Sequence, residues 1–411
     1  MSNNKEALRL SARVGRILLE NGAEISRVEE TMDTIASHYG EKEKNFFVLS
    51  NGIFTTGESF ANAEFIPIRG ARLDKVVEAN QLSRDIVSQN LSIEEAWQII
   101  NRIDKMPTRP AWEEYLGAGI GCMGFCAIFG GSITDCLFSL LCGIILNFFV
   151  RNVTGKMNKI LNNICAGFIG TMLCILIEML HPGVSLANLV VGTMILLIPG
   201  VPFINGLRDM ANQDYISGVT RLMDAIMAFL GIAIGVCFAF VVHGWFAGGI
   251  IHLNGTATDP TTYMIPIQLL CSLVGSAAFA ILFGVPGRYC IPGGLTGMAG
   301  WLVYMILVRY TPVGVFAGTF IAAAAVVIIA KYFSRKMKSP AIIFLISGIF
   351  PLVPGAGIFW SAYYVASEQF MSALSSGLTA IQVSVAIVLG IIIAQNISGL
   401  KKNNNFDVTN R

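Results

Sequence analysis

Through the first hundred residues, apolar positions recur at helix or strand spacing between charges; beyond Leu116 they fuse into long runs. Residues 5–21 bring Leu8, Ala12, Gly15, Ile17, Leu18 and Leu19 near one helical face. A second helix is predicted from about Glu24 to Tyr39, with Gly40 as its terminator. Two β-rich runs follow, Asn45–Thr56 and Ala63–Ile68, the first read as one strand with a Gly kink or bulge. Helices are predicted over Leu73–Gln89 and Ile93–Ile103, the latter opened by the capping pattern Ser92-Ile-Glu-Glu95. Two prolines in Met106-Pro-Thr-Arg-Pro110 then stop the chain from continuing as helix.

A membrane crossing needs about 20 apolar residues, or about 17 at the short end. The runs predict ten, at roughly 116–131, 133–150, 164–181, 185–205, 222–243, 265–284, 290–308, 313–332, 341–362 and 373–396. Lys and Arg in short loops test this threading. With the amino-terminal domain inside, the inner segments carry Arg151, Lys156, Lys159, Arg208, Arg221, Arg288, Lys331, Arg335, Lys336, Lys338, Lys401, Lys402 and Arg411, and the outer ones only Arg309. Thirteen against one agrees with a multi-pass protein of the cell membrane with both termini cytoplasmic.

Two of the runs are interrupted and alike. LVVGTMILLIPGVPFINGL and FLISGIFPLVPGAGIFWSA superpose at an offset of 155, placing Pro199-Gly200 on Pro354-Gly355; Phe129-Gly130 falls on Phe283-Gly284 at 154. Five crossings per half make the repeat inverted, because an odd number returns the chain to the opposite side. The expectation is a mainly α, polytopic membrane protein: about ten transmembrane helices in two inverted five-helix repeats, behind a small cytoplasmic α/β domain. Its divisions fall at 1–110 (cytoplasmic domain), 111–243 (first half), 244–264 (extracellular loop), 265–397 (second half) and 398–411 (cytoplasmic tail). Paired broken helices in two halves point to the substrate site of a secondary transporter.

Composition agrees. Apolar residues make up 54% and charged residues 13%, at mean hydropathy +0.65, too oily for a soluble chain of 411 residues. Of 54 charged side chains, 32 lie within residues 1–116. Net charge +2 argues for neither nucleic acid nor an acidic partner. The start lacks the continuous apolar core of a cleaved signal peptide. All nine cysteines lie in the apolar part, so Cys122 and Cys126, one turn apart, read as packing residues rather than metal ligands. No GxxxxGK[ST] is present, nothing calls for a cofactor, and Gly57-Glu-Ser-Phe-Ala61 reads as a turn rather than a nucleophile elbow.

Ionisable groups inside membrane segments are costly and mark function. Glu178, with His181 one turn later, is a candidate proton carrier or an interfacial charge. Asp224 is a second candidate, with Arg221 three residues earlier as its expected partner. Asp135 lies near an outer turn and suits a gate, as do Asp214 and Arg221 at the inner end. The stretch Pro199-Gly-Val-Pro-Phe-Ile-Asn-Gly-Leu-Arg-Asp-Met210 is the strongest substrate candidate, through Pro199, Gly200, Asn205, Arg208 and Asp209, with Pro354 and Gly355 opposite. Proline frees a carbonyl one turn back and glycine admits close approach. Arg208 could clasp a carboxylate, or with Asp209 form an anchor and its counter-charge.

LLENGAEISRVEETMDTIASHYG, FVLSNGIFTT and IRGARLDKVVEANQLSRDI, followed by PGVPFINGLRDMANQDYISGVTRLMDA, resemble the threonine/serine exporter family over nearly the whole chain. The resemblance implies a ten-span secondary exporter of small hydroxy amino acids driven by protons, with membrane lipid as its surroundings; a homo-oligomer is compatible with it. It equally leaves room for a dicarboxylate (succinate-type) exporter. A membrane-anchored hydrolase or sensor domain is the reading from another class; the repeat counts against the hydrolase, whereas a sensor role for the amino-terminal domain is compatible with it. No catalytic residues stand out, and an enzyme is not expected.

Overall fold

The computed structural model describes residues 2–58, 60–67, 70–153, 157–249 and 264–403. Ser59, Gly155, Lys156, Arg411 and most of the loop assigned to 244–264 lie outside the described residues, as do the side chains of Lys401 and Lys402.

The amino-terminal domain is α1 (Ser2–Glu20), α2 (Ile25–His38), β1 (Lys44–Leu49), β2 (Gly52–Gly57), β3 (Phe60–Phe65), α3 (Leu73–Gln89) and α4 (Ile93–Asp104). The run expected as one kinked strand is a hairpin. β1 and β2 pair antiparallel with Leu49 opposite Gly52, so Ser50-Asn51 is the turn, and β3 pairs antiparallel with β2. Val48, Ile53 and Thr55 point inward from the sheet, towards a core that includes Leu10, Val14, Ile17, Met32, Val76 and Ile100. α2 stops at Gly40 in the left-handed region (φ 84°), and the Ser92–Glu95 capping box opens α4 as expected.

The remainder is helical. α5 (Ala111–Ile128), α6 (Ile133–Asn152), α7 (Lys159–Leu180), α8 (Leu186–Met194), α9 (Gly200–Ala211) and α10 (Tyr215–Ala247) form the first half. α11 (Ile265–Leu282), α12 (Gly287–Tyr310), α13 (Val315–Met337), α14 (Ile342–Ile349), α15 (Gly355–Ala366) and α16 (Phe370–Asn403) form the second. Among the described residues, seven helices are long and apolar enough to cross a membrane, or nine crossings if each of two bent pairs counts as one. α5, with Glu113 and Glu114 in its first turn, is not among them. Packing follows membrane rules: glycines, cysteines and serines face inward while Leu137, Leu141 and Ile145 on α6 and Met223, Ile226 and Leu230 on α10 face out.

The halves repeat element by element. The bounds of α9 and α15 differ by 155, the starts of α10 and α16 by 155, and the bounds of α5 and α11 by 154. Left-handed residues recur too: Gln213 (φ 71°) with Glu368 (φ 58°), and Gly130 with Gly284. A Cβ on Gly235 would meet the Ile164 carbonyl at 2.2 Å, and one on Gly390, 155 residues on, would meet the Phe320 carbonyl at 2.4 Å. Both glycines therefore serve the same close helix crossing.

Candidate functional site

The breaks are built alike. In the first, α8 tightens into a 3-10 turn at Ile195–Leu197, Ile198 is extended, and α9 restarts after Pro199 at a bend of 60°. In the second, α14 tightens at Phe350–Leu352, Val353 is extended, and α15 restarts after Pro354 at 44°. Gly200 N donates to the Ile198 carbonyl and Gly355 N to that of Val353, both at 2.8 Å. Proline explains the position of the restart: without an N–H it cannot join the preceding helix, but it suits the first turn of a new one. The breaks meet across the repeat. A Cβ on Gly200 would lie 2.7 Å from Phe350 Cζ, and one on Gly355 would lie 2.9 Å from Ile198 Cδ1.

A cavity lies against each break. The first, ≈ 930 Å³, is lined in the membrane half by Pro199, Gly200, Asn205, Lys159, Arg221 and Asp224, and is walled by Gly22, Asn51 and Ile66 of the amino-terminal domain. The second, ≈ 390 Å³, is lined by Pro354, Trp360, Trp301, Thr319, Ser376 and Thr379, among others. These linings correspond through the repeat: Asn205 to Trp360, Arg221 to Ser376 and Asp224 to Thr379 at 155, Asn163 to Thr319 at 156. They sit at opposite ends of the helices. Phe283, at the end of α11 that touches the amino-terminal domain, lines the first; Phe129, at the far end of α5, lines the second. With 18 residues, α5 separates its ends by about 27 Å.

The charges at the first break face the amino-terminal domain. Gly22 (φ 94°) turns the chain between α1 and α2, and that turn docks on α9 and α10. Asn205 Nδ2 donates to the Gly22 carbonyl (2.8 Å), and Arg221 Nη2 to that of Ala23 (3.0 Å). Asp209, wholly buried, accepts from Ile25 N (3.0 Å) and from Arg221 Nη1 (2.7 Å). Arg208 Nη2 pairs with Glu24 Oε2 at 2.6 Å, both largely buried. Buried charges are tolerated only when paired and hydrogen-bonded, so this cluster is a dock that holds two domains in one register. Asp214, at the turn before α10, has its carboxyl raised above the usual range by burial, against the pull of Arg221. Glu29 is raised by burial and, after an opposing hydrogen bond from Val48 N, by the nearby Asp214.

Several expected partners differ. Arg221 does not pair with Asp224: it turns to Asp209 on the adjacent α9, and Asp224 pairs with Lys159 on α7. The reason is desolvation, since Arg221 is 5% exposed and needs a buried carboxylate while Asp224 lies on the cavity side. Arg208 is engaged by Glu24 rather than open to a ligand. Asp135, 2% exposed, is a clasp that accepts from Ser132 N and Ser185 N, both at 2.8 Å. Glu178 lines neither cavity, and its neighbour His181 packs on Phe138 at 4.9 Å between ring centroids. Cys122 and Cys126 pack α5 on α8, their thiols 3.8 and 3.5 Å from the Thr193 and Asn188 carbonyls.

Sequence reasoning passed over Lys159, Trp360 and Glu24. The offset of 155 carries Asn205 onto Trp360, and that signal was available in the chain. Nothing local in ENGAE announces that its glutamate meets an arginine 184 residues later.

Comparison with known proteins places these features in a family. Residues 9–243 match the family described as "Putative threonine/serine exporter", and residues 268–397 the one described as "Threonine/Serine exporter, ThrE". The chain is 20% identical to a "Probable threonine/serine exporter" of Mycobacterium tuberculosis, over 95% of this chain and 77% of that one. It is 21% identical to the "Threonine/serine exporter" of Corynebacterium glutamicum, over 94% and 81%. With a "Probable succinate transporter subunit YjjP" of Klebsiella aerogenes it shares 24% identity over 59% of this chain and 96% of the relative. No solved structure matches. Two family matches in chain order and two relatives spanning nearly its full length agree with the paired breaks: the chain belongs to the threonine/serine exporter family.

Proposed function

We propose that this protein exports threonine and serine across the cell membrane by alternating access, coupled to the proton gradient. The observation that carries the reading is the pair of repeat-related cavities at opposite ends of the bundle, separated where Gly200 meets Phe350 and Gly355 meets Ile198. One backbone used twice in opposite senses gives two mirror-related conformations of similar energy, which is the physical basis of alternating access. Ten crossings in two inverted halves, with both termini in the cytoplasm, supply that arrangement.

In this reading the amino acid enters the first cavity from the cytoplasm. Asn205 is buried, donates to Gly22 and leaves Oδ1 without a hydrogen-bond partner among the described residues, so it can accept from a substrate ammonium or hydroxyl. α9 and α15 both begin at the breaks, and their positive ends suit a carboxylate. Asp224, beside Lys159 on the cavity wall, is the proposed proton acceptor: protonation cancels its attraction for Lys159 and loosens α7 from α10. Asp209, Arg221, Arg208 and Asp214 then serve as the inner gate through the dock, in place of direct substrate contact. Glu178 is a weaker second proton candidate, and Asp135 steadies the opposite end.

The relative named for succinate aligns over a stretch of similar length to the first half and its domain, so a dicarboxylate is the second reading. Proteoliposomes preloaded with labelled threonine, serine or succinate decide between them. Saturable release of the hydroxy amino acids, stimulated by an imposed pH gradient, is expected. Release of succinate alone moves the assignment to dicarboxylates, and unsaturable leakage of all three contradicts an alternating mechanism.

A further inference from the structure

The second cavity differs from the first in having no charged side chain in its wall among the described residues, although the backbone around it is the same. Where the first has Lys159, Arg221 and Asp224, the second has Val315, Ser376 and Thr379. Its aromatic groups come in stacked pairs, Trp301 with Tyr304 (centroids 5.2 Å apart) and Trp360 with Tyr364 (5.6 Å). The two indoles are not equivalent. Trp301 Nε1 donates to Gln268 Oε1 at 3.3 Å, whereas Trp360, 4% exposed, has no hydrogen-bond partner for Nε1 among the described residues. A buried N–H without an acceptor costs on the order of 1–3 kcal/mol; this one is covered but belongs to a side chain that lines the cavity, and an acceptor that comes and goes would satisfy it.

We propose that this cavity is a charge-free release site for the exported amino acid, in which Trp360 Nε1–H and the Ser376 hydroxyl receive the substrate carboxylate and the aromatic faces receive its ammonium. This rests on the exporter reading above. A neutral donor and π-faces hold a zwitterion more weakly than fixed opposite charges, because an ion pair adds Coulombic attraction to the hydrogen bond that a neutral partner lacks. The asymmetry does not drive transport, which the proton gradient must do. It keeps external amino acid from refilling the site, so efflux continues against a high outside concentration. Trp360 stands where the first half has Asn205, which leaves an acceptor free instead of a donor. A substrate crossing between the cavities therefore exchanges an acceptor for a donor at one repeat position.

The test measures threonine efflux from proteoliposomes of the full chain, varying threonine separately on each side. Trp360→Phe keeps an apolar ring and removes the N–H. The expected result is an external half-inhibiting concentration raised about tenfold, as for loss of one hydrogen bond to a charged group, with the internal half-saturating concentration changed less than about twofold. Asn205→Ala should give the reverse pattern. Ser376→Ala tests the same wall without disturbing the aromatic stack, and should raise the external value alone by a few-fold. If Trp360→Phe is not recovered folded, Ser376→Ala together with wild-type Trp360 fluorescence decides. Threonine added to wild type should change emission that persists after Trp301→Phe, and an unchanged emission overturns the proposal. Equal shifts on both faces, or none on either, overturn the release site while leaving saturable export intact. Absence of threonine export by the wild type overturns both.

Discussion

At the first break, Asn205, Arg208, Asp209 and Asp214 stand where the second break has Trp360, Tyr363, Tyr364 and Gln369. The backbone hardly registers the exchange: both breaks have the same 3-10 turn, the same extended residue and the same proline restart. What differs is the neighbour. The first break meets the Gly22–Ser26 turn of the amino-terminal domain through four side-chain hydrogen bonds or ion pairs between α9 or α10 and residues 22–25. The second packs its aromatics among themselves, as where Trp360 meets Tyr363 and Tyr364. A repeated fold can therefore keep its geometry by proline, glycine and small-residue packing while its chemistry diverges to suit one domain.

The sharpest way to break the comparison is to remove the polar group at equivalent positions. Asp209→Ala leaves Arg221 buried without its carboxylate and frees Ile25 N, and should weaken docking by about 3–5 kcal/mol. Hydrogen exchange at the amides of residues 22–26 would report it. Tyr364→Phe, 155 residues on, should change stability by about 1 kcal/mol or less. Similar losses at both sites would show that the dock is not what separates the halves.

Glycine at the breaks gives the next effect. Gly200→Ala drives a methyl into Phe350, which is held by Phe125, Phe279 and Phe283, and should cost about 1–3 kcal/mol and slow efflux. Gly355→Ala meets only the movable end of Ile198 and should cost less. Thermal midpoints of the two variants, measured side by side, check the order.

The dock also sets a pH dependence that the second break lacks. Asp214 and Glu29 both have carboxyls raised above their ordinary values, chiefly by burial. Protonated, they suit the folded state; their contribution is full at low pH and is lost as pH rises through the raised values. Asp214→Asn should therefore raise the thermal midpoint relative to wild type at about pH 8, and the two should converge near pH 4. The smallest effect on stability belongs to Asp224→Asn, which breaks a part-exposed pair with Lys159 worth under about 1 kcal/mol but should abolish stimulation of efflux by a pH gradient.

Much of this architecture was legible in the chain. Hydrophobic run lengths gave the helices, Ser92 and Glu95 gave the start of α4, and Pro199 and Pro354 gave the restarts of α9 and α15. These are local signals, fixed by period, capping and a missing donor. The hairpin at Ser50-Asn51 is not legible in the chain, because Gly52 reads as a bulge in one strand until the pairing of β1 with β2 is seen. From the chain alone Arg208 reads as a carboxylate clasp or as an anchor beside Asp209, because its acid, Glu24, belongs to another domain; spacing cannot reveal a contact across 184 residues. Helical spacing pairs Arg221 with Asp224, whereas burial selects Asp209 from the adjacent helix.

The central claim is that the two cavities open in turn. Thr220 and Ser375 occupy equivalent positions in the repeat, are exposed, and line the first and second cavity respectively. In a full-length chain with its nine cysteines replaced, Thr220→Cys and Ser375→Cys would be labelled from solution while threonine and the pH gradient are varied. Alternating access predicts reciprocal change: conditions that protect one cysteine expose the other. Labelling that rises and falls together at both positions, or is indifferent to substrate and gradient, would contradict it.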